Sequence, residues 1–464
     1  MNLFGYFDIG RRAMAASQLG LQVAGDNIAN ANTPGYARRR VELVTGPAVE
    51  VPGGWLSQGV DVAGVSRAED GFLQAALDRE RGGLGSADET LRGLQEIESV
   101  YGSLDGNNVA SSLTSFGSAF TAVAGQPDSA ALRRGAVAAA QSLAGSIRST
   151  YARLTDMRSR EDGAVSDSVT QINALATELA GLNKTIAQDE VTGHTASPQR
   201  DRRDAVLADL ADLTGGTVAK GTNGQIRFEL QNGTTLVSGD AALTLQTTRA
   251  ADGTLRVLAG ADGSDITDRM RGGRLGAHLK LRDEAITTQL SNLDALASDL
   301  TTRANALTAS ARDLNGNPGG PLFVPNPPGA TGAAASIDVA SALVQDPSKL
   351  AISLTGAAGD GSVASSIAGL KDTASSALGG KSPAAFLADG LAALGGQVAE
   401  ADVANGVSKD MVNGLQARRD SVSGVSMDEE AVALIQNQKA FEAAARFLTV
   451  LQSITDTAIN LVAH

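Results

Sequence analysis

Residues 431–462 read AVALIQNQKAFEAAARFLTVLQSITDTAINLV, and their spacing decides how both ends of the chain are built. Leu434, Phe441 and Leu448 recur every seven positions and lead on to Thr455 and Val462, with Ala431, Ala445 and Ile459 among the companions. That is the repeat of a helix packed along another helix. A second stripe, Phe447, Leu451, Ile454, Ala458 and Leu461, widens the apolar face. A helix apolar over so much of its circumference needs cover on more than one side, and one partner helix does not supply it.

The opposite end carries the same repeat. Phe7, Met14, Leu21 and Ile28 recur every seven residues, and Gly10, Ser17, Ala24 and Ala31 stand three positions further on. The two patterns predict terminal helices that form a coiled-coil-like base. Periodicity alone leaves two arrangements open: a pair within one chain, or both ends entering the packed wall of a polymer.

Between the ends the pattern runs helix, strand, helix. Ser86 and Glu89 read as a capping box ahead of Leu91, Leu94, Ile97, Tyr101 and Leu104, with a turn at Asp105-Gly106-Asn107. Val109, Leu113, Phe116, Phe120 and Val123 give a short helix, and a long one runs from about Asp128 to Ile186, with Gly163 as a bend or break. Ile226, Phe228 and Leu230 then alternate with Arg227 and Glu229, the period of a half-exposed strand. Asn232-Gly233 and Asp252-Gly253 are hairpin turns, and Leu243/Leu245 and Leu255/Val257 add further alternating runs. Helix returns through Ile286, Leu290, Leu293, Ala297, Leu300, Ala304, Leu307 and Ala311. NGNPGGPLFVPNPPGATG (315–332) is too rich in Gly and Pro for regular structure, and Ser382-Pro383 opens another helix. The expected fold is mainly α with a β-rich insertion. Residues 1–55 with 425–464 form a terminal helical polymerisation domain, 56–214 with 266–424 a discontinuous long-helix bundle, and 215–265 a small outer β domain.

Composition narrows the chemistry. A net charge of -13 over 464 residues offers no footprint for phosphate backbones, and no segment is apolar enough for a membrane span. The arginines near the N-terminus lie inside the stretch MNLFGYFDIGRRAMAASQLGLQVAG rather than before an apolar run, so it does not read as a cleaved secretion signal. Cysteine is absent, which rules out disulfides and thiolate metal sites. His194, His278 and His464 have no ligand spacing between them. The Asp-Gly loops at Asp105 and Asp262 lack the terminal glutamate of a calcium loop and read as turns. Arg38, Arg39 and Arg40 read as a solvated strand edge, and RDRRD (200–204) as ion pairs opening a helix over Ala205–Leu213. There is no phosphate-binding loop, dinucleotide fingerprint, metalloprotease motif or nucleophile elbow. No catalytic, cofactor-binding or metal-ligating residue is predicted, and no cofactor.

Residues 27–36, NIANANTPGY, resemble the Asn-Ile-Ala-Asn-x-x-Thr-x-Gly-Tyr signature of flagellar rod, hook and hook-associated proteins. Its physical logic is local: Asn27 and Asn30 bond backbone where the first helix ends, and Thr33, Pro34, Gly35 and Tyr36 make the turn that sends the chain outward. From Gly424, GVSMDEEAVALIQNQKAFEAAARFL resembles the ending of the hook-associated protein 1 family. VTQINALATELAGLNKTI (169–186), RDRRDAVLADLADLTG (200–215), GGRLGAHLKLRDEAI (272–286) and LNGNPGGPLF (314–323) resemble that family's internal motifs in order. Arg202 departs from the family's usual glutamine, no histidine precedes the Asn-Gly loop, and the chain is short for the family.

The resemblance implies a structural, non-enzymatic part of the bacterial flagellum at the junction between hook and filament. Its partners would be further copies of itself in a ring, the hook protein, a second junction protein or the filament protein, and a cytoplasmic export chaperone. Neither nucleic acid nor membrane is expected. The protein would leave the cell unfolded, without a cleaved signal, and work outside it. Phe7, Met14, Leu21, Asn27, Ile28 and Asn30 of the first helix, with Leu434, Phe441, Leu448, Leu451 and Ile454 of the last, are the expected subunit interface. Leu434, Phe441, Phe447 and Leu451 are the expected chaperone contacts. Another axial component, such as a distal rod or hook protein, shares the N-terminal signature and is the alternative.

Overall fold

The computed structural model describes residues 3–33, 35–51, 54–102, 108–191, 195–221, 224–251, 253–327 and 332–462. The first helix, α1 (Leu3–Asn30), leads into four strands: β1 (Arg39–Thr45), β2 (Ala48–Val51), β3 (Gly54–Ser57) and β4 (Val60–Arg67). β1 pairs antiparallel with β4, and β2 with β3. Beyond a strand edge at Arg38, Arg39 and Arg40, the sequence reading gave no range for any of these four. β1 shows why: five of its seven residues are exposed and none is buried, so no apolar face marks it as a strand.

α2 (Gly71–Tyr101) starts where Asp70 Oδ1 accepts from the backbone N–H groups of Phe72 and Leu73 at 3.0 and 3.1 Å. Ser86 and Glu89 therefore lie inside a helix and cap nothing. The glycines before them serve close packing instead. A Cβ on Gly82 would lie 2.7 Å from the Ala211 carbonyl oxygen, and one on Gly85 2.3 Å from Asp212 Oδ1. The expected turn at 105–107 lies outside the described residues. Asn108 then caps α3 (Val109–Gly125): its Oδ1 accepts from Ser111 N at 2.8 Å, and its own N–H donates to Ser111 Oγ.

α4 (Ala130–Glu190) runs 61 residues without a break. Gly163 is exposed and does not end it, since Leu154, Met157 and Val165 are buried on the opposite side and hold the flanking turns. α5 (Ser197–Thr214) opens with Pro198 in its first turn and closes on Gly215, whose φ of 65° is left-handed.

The β-rich stretch follows as expected. β5 (Thr217–Lys220), β6 (Ile226–Glu229), β7 (Thr235–Ser238) and β8 (Ala241–Ala242) form one antiparallel sheet in that order. β9 (Leu245–Arg249), β10 (Leu255–Ala259) and β11 (Ser264–Asp265) form a second, with β10 central. Asn232 Oδ1 accepts from Thr234 N in the β6–β7 turn, while Asp252 of the β9–β10 turn lies outside the described residues.

α6 (Gly273–Lys280) passes through a π-helical turn, Leu281–Ile286, into α7 (Thr287–Ala309). The Gly/Pro-rich segment is mainly loop, but β12 (Phe323–Pro325) breaks the expectation by pairing with β13 (Ile337–Val339). Asn305 secures it: Nδ2 donates to Phe323 O at 2.7 Å, and Oδ1 accepts from Leu322 N and Phe323 N. Short helices α8 (Ala333–Ser336), α9 (Ser341–Gln345) and α10 (Ser362–Ala368) precede the long α11 (Pro383–Ser423) and α12 (Met427–Val462). Ser382 Oγ accepts from Ala385 N, the cap expected for α11.

Contacts divide the chain into two compact units. The first comprises Met1–Gly85, Val169–Gly273 and Val407–His464, the second Ser86–Ser168 and Arg274–Gly406. In the first, Ile172, Leu179, Val206, Leu210, Phe228 and Val257 are buried core. Asn173 and Asn183 of α4 pin the β9–β11 and β5–β8 sheets by bonding the backbones of Leu245 and Ile226. In the second, Phe116 meets Phe120 at 4.7 Å and Phe323 at 6.0 Å between ring centres, amid Leu143, Ile147, Leu293 and Leu300.

Candidate functional site

Within the first unit α1 and α12 pair along their length, so the first of the two arrangements left open by periodicity exists in a single chain. The seam runs through the small companion residues rather than the large ones. Gly10, Ala16, Ser17, Gly20, Val23 and Ala24 are buried, whereas Phe7, Met14, Leu21 and Ile28 are half-buried along the flank. Glycine sets the separation. A Cβ on Gly10 would lie 2.6 Å from Leu448 Cδ2, and one on Gly20 2.4 Å from Asn437 Oδ1. On α12, Ala444 and Leu451 are buried and Leu434, Phe441 and Leu448 half-buried.

A polar knot ties the end of α1 to the start of α12. Asn27 is fully buried. Its Nδ2 donates to Arg39 O at 2.9 Å and to Glu430 Oε2 at 3.0 Å; its Oδ1 accepts from Arg39 N at 3.0 Å and from the Tyr36 hydroxyl at 2.8 Å. Burial pushes the Tyr36 phenol up, which keeps its proton available for that bond. Arg38 closes the knot, donating from Nε to Glu430 Oε1 and from Nη1 to Glu429 Oε2, both at 2.6 Å. Arg38 N donates to Ser423 O as well, and Arg419 Nη2 to Gly35 O. Asn30 behaves as the local reading expects, with Nδ2 on Asp26 O at 2.9 Å. Asn27 does not: its partners are 12 and 403 positions away or on Tyr36, and its side chain is spent inside the chain. Thr33 and Gly35 form the turn, Gly35 with φ 83°, and Pro34 lies outside the described residues.

The RDRRD cluster is an ion-pair network, though α5 begins before it and its pairs reach to other elements. Arg67 meets Asp201 at 3.0 Å and Asp204 at 2.6 Å, Arg39 reaches Asp201, and Arg200 clasps Glu190 through two bonds of 2.8 Å. Arg202, the departure from the family's glutamine, pairs with Glu178. Arg38 and Arg39 are accordingly not a solvated edge but part of the packing.

Away from the seam α12 keeps an apolar stripe open among polar residues: Val432, Ile435, Val450, Ile454 and Leu461 share one face and are exposed, at 50–76%. Among the residues expected at the interface, Ile454 lies on this open stripe, and Phe447, expected at the chaperone, lies beside it. Glu430, Arg38, Gly10 and Gly20 were not singled out as functional, and only the small-residue period at 10, 17 and 24 hinted at the seam. The open stripe has the chemistry of a docking surface and none of a reacting centre. Among the described residues the side chains placed to share a metal ion are Glu89, Glu161 and His278, in the second unit.

Three family models match the chain. One described as flagellar hook-associated protein FlgK helical domain covers residues 94–323, one described as flagella basal body rod protein covers 7–36, and one described as flagellar basal body rod FlgEFG protein C-terminal covers 417–461. The chain is similar to flagellar hook-associated protein 1 of Bacillus subtilis, 27% identical over 504 residues, covering 97% of this chain and 96% of that protein. The same-named protein of Salmonella typhimurium is 27% identical over 316 residues, 66% of this chain and 57% of its own length. Among solved structures, the flagellar hook junction protein FlgK from Burkholderia pseudomallei shares the fold with a TM-score of 0.66 at 16% identity, over 76% of this chain and all of that one.

Proposed function

Because the chain belongs to the family of flagellar hook-associated protein 1, we propose that its paired terminal helices are the element by which it enters the flagellar axis at the junction of hook and filament. It is a structural protein and not an enzyme. Residues 1–55 with 425–464 act as the polymerisation domain. The observation that carries this reading is the apolar stripe on α12 that remains open once α1 has covered the other side. Apolar side chains spaced along one face gain by burial against a neighbouring subunit, roughly 25 cal/mol for each Å² removed from water.

The half-buried flanks of the seam, Phe7, Met14, Leu21 and Ile28 with Asn30 on α1 and Leu434, Phe441 and Leu448 on α12, form the remainder of the subunit contact, on the side of α12 opposite the open stripe. Asn27 and Leu451 support it from inside. The neighbours are further copies in a ring, the hook protein on one side and a second junction or filament protein on the other. The protein works outside the cell and reaches its place by flagellar export. Before assembly α12 is separated from α1, and Leu434, Phe441, Phe447 and Leu451 then offer a chaperone one continuous face. Electron microscopy of flagella from a deletion strain tests the junction role. Hooks without filaments, with filament protein shed into the medium, are expected; normal filaments would overturn it.

A further inference from the structure

Three helices of the second unit converge on one polar cluster that the assembly reading does not use. Glu89 comes from α2, Glu161 from α4 and His278 from α6, and all three residues are at most 9% exposed. One ligating atom from each lies within 4.8 Å of the others. His278 Nδ1 is 2.6 Å from Glu161 Oε2 and 3.4 Å from Glu89 Oε1. His278 sits on the last turn of α6, directly before the π-helical turn Leu281–Ile286. Such turns interrupt otherwise regular helices and recur at functional sites.

We propose that Glu89, Glu161 and His278 form a binding site for a divalent transition-metal ion of the zinc class. One imidazole nitrogen and two carboxylate oxygens are a donor set that such ions take, with a fourth position left to water. Charge supports it: two carboxylates and a neutral imidazole balance a divalent cation without residue. Geometry supports it too. Ligand atoms around a tetrahedral zinc with bonds of about 2.1 Å stand about 3.4 Å apart. The His278–Glu89 separation already has that value. The His278–Glu161 pair is a direct hydrogen bond and opens by under 1 Å on this estimate, while His278 takes the tautomer with its proton on Nε2, which leaves the imidazole neutral and Nδ1 free for the ion.

Arg92 is the competitor. It bonds Glu89 Oε1 through Nε and Nη2 and stands 4.0 Å from Glu161 Oε1, so it is the cation the cluster now holds. Its side chain is 53% exposed, and Nη1 already reaches Glu96 at 3.5 Å. Arg92 can therefore swing to Glu96 when an ion enters. A bare ion-pair network and a metal site differ in one respect: removal of Arg92 weakens the first and frees the second.

The test is titration of the purified full chain with Co²⁺, read by visible absorption, and with Zn²⁺, read by melting temperature. One saturable equivalent is expected, with ligand-field bands and a raised melting temperature. Arg92→Gln binds more tightly than wild type, and Zn²⁺ restores its melting temperature. Glu161→Gln and His278→Gln abolish the bands, whereas His194→Gln and His464→Gln keep them. Should His278→Gln not fold, Glu89→Gln and Arg92→Gln carry the comparison. Absence of saturable binding in both wild type and Arg92→Gln overturns the proposal. So does binding that survives Glu89→Gln and Glu161→Gln, or that disappears only with His194 or His464.

Discussion

Asn27 Nδ2 donates to Glu430 Oε2 at 3.0 Å, a buried bond between residues 403 positions apart that joins the end of the first helix to the beginning of the last. The same amide holds Arg39 backbone and the Tyr36 hydroxyl, so every donor and acceptor it has is used. Asn27→Ala strands buried partners on three residues, each at a cost of about 1–3 kcal/mol. We expect a loss of about 3 kcal/mol or more in denaturant unfolding of the purified chain. Amide exchange at the start of α12 should rise with it. A loss under about 1 kcal/mol would mean that water takes over the amide's role without penalty.

The glycines of α1 separate seam from surface by the sign of their response. Nothing lies within 4 Å of a Cβ built on Gly25, whereas Gly10 and Gly20 face Leu448 and Asn437 at under 3 Å. Gly25→Ala gains about 0.5–1 kcal/mol from helix propensity. Gly10→Val and Gly20→Val force α1 and α12 apart and cost about 1–3 kcal/mol. Circular dichroism melts of the three variants check this. Equal behaviour at all three positions would remove the close seam.

This seam shows how far the sequence could be read. Seven-residue periods at 7, 14, 21, 28 and at 434, 441, 448 announce two packed helices, and the alternation at Ile226–Leu230 announces a strand. Neither announces which side of α1 faces in, because glycine and alanine carry no hydropathy signal strong enough to mark a seam. The partnership of Asn27 with Glu430 is invisible for a different reason: it depends on a fold that closes hundreds of residues. Ser86 and Glu89 match a cap, but local motifs cannot register that Gly82 and Gly85 pack against α5 and let α2 run on. The Glu89–Glu161–His278 cluster has no sequence spacing at all, since each side chain comes from a separate helix.

Asp78 makes the first unit sensitive to pH. Burial pushes its carboxyl up to about 7, against weaker help to the charged form from Arg81 at 3.6 Å and Gln74 Nε2 at 2.8 Å. The folded chain therefore keeps a proton there that the unfolded chain gives up near pH 4. Stability from this group falls as pH rises from about 4 to 7 and is lowest above that, by on the order of 4 kcal/mol. Asp78→Asn, which keeps the shape without the charge, should stabilise the chain at pH 8 and change little at pH 4. Unfolding curves at the two pH values measure the difference. Equal effects at both would place the ionisation of Asp78 outside this range.

The two faces of α12 should separate folding from assembly. Leu451 is 6% exposed, within the α1–α12 seam, while Ile454 on the open stripe is 50% exposed and Ile435 and Val450 are each 56% exposed. A carboxylate at Leu451 is buried without a partner and costs on the order of 3 kcal/mol or more in the isolated chain. One at Ile454 or Val450 stays in water, and the monomer's stability should move by no more than about 0.5 kcal/mol. In a ring the outcome reverses in kind. The open stripe is carried by every copy, so Ile454→Asp places a charge in each subunit contact and the penalties accumulate around the ring. Cells with Ile454→Asp or Val450→Asp should make and export the protein, melt it like wild type when purified, and still bear hooks without filaments. Leu451→Asp should lower the melting temperature before assembly is reached. Normal filaments on the Ile454→Asp and Val450→Asp strains would release the stripe from any subunit contact. A monomer that loses several degrees on Ile454→Asp would instead place that side chain in an intrachain core.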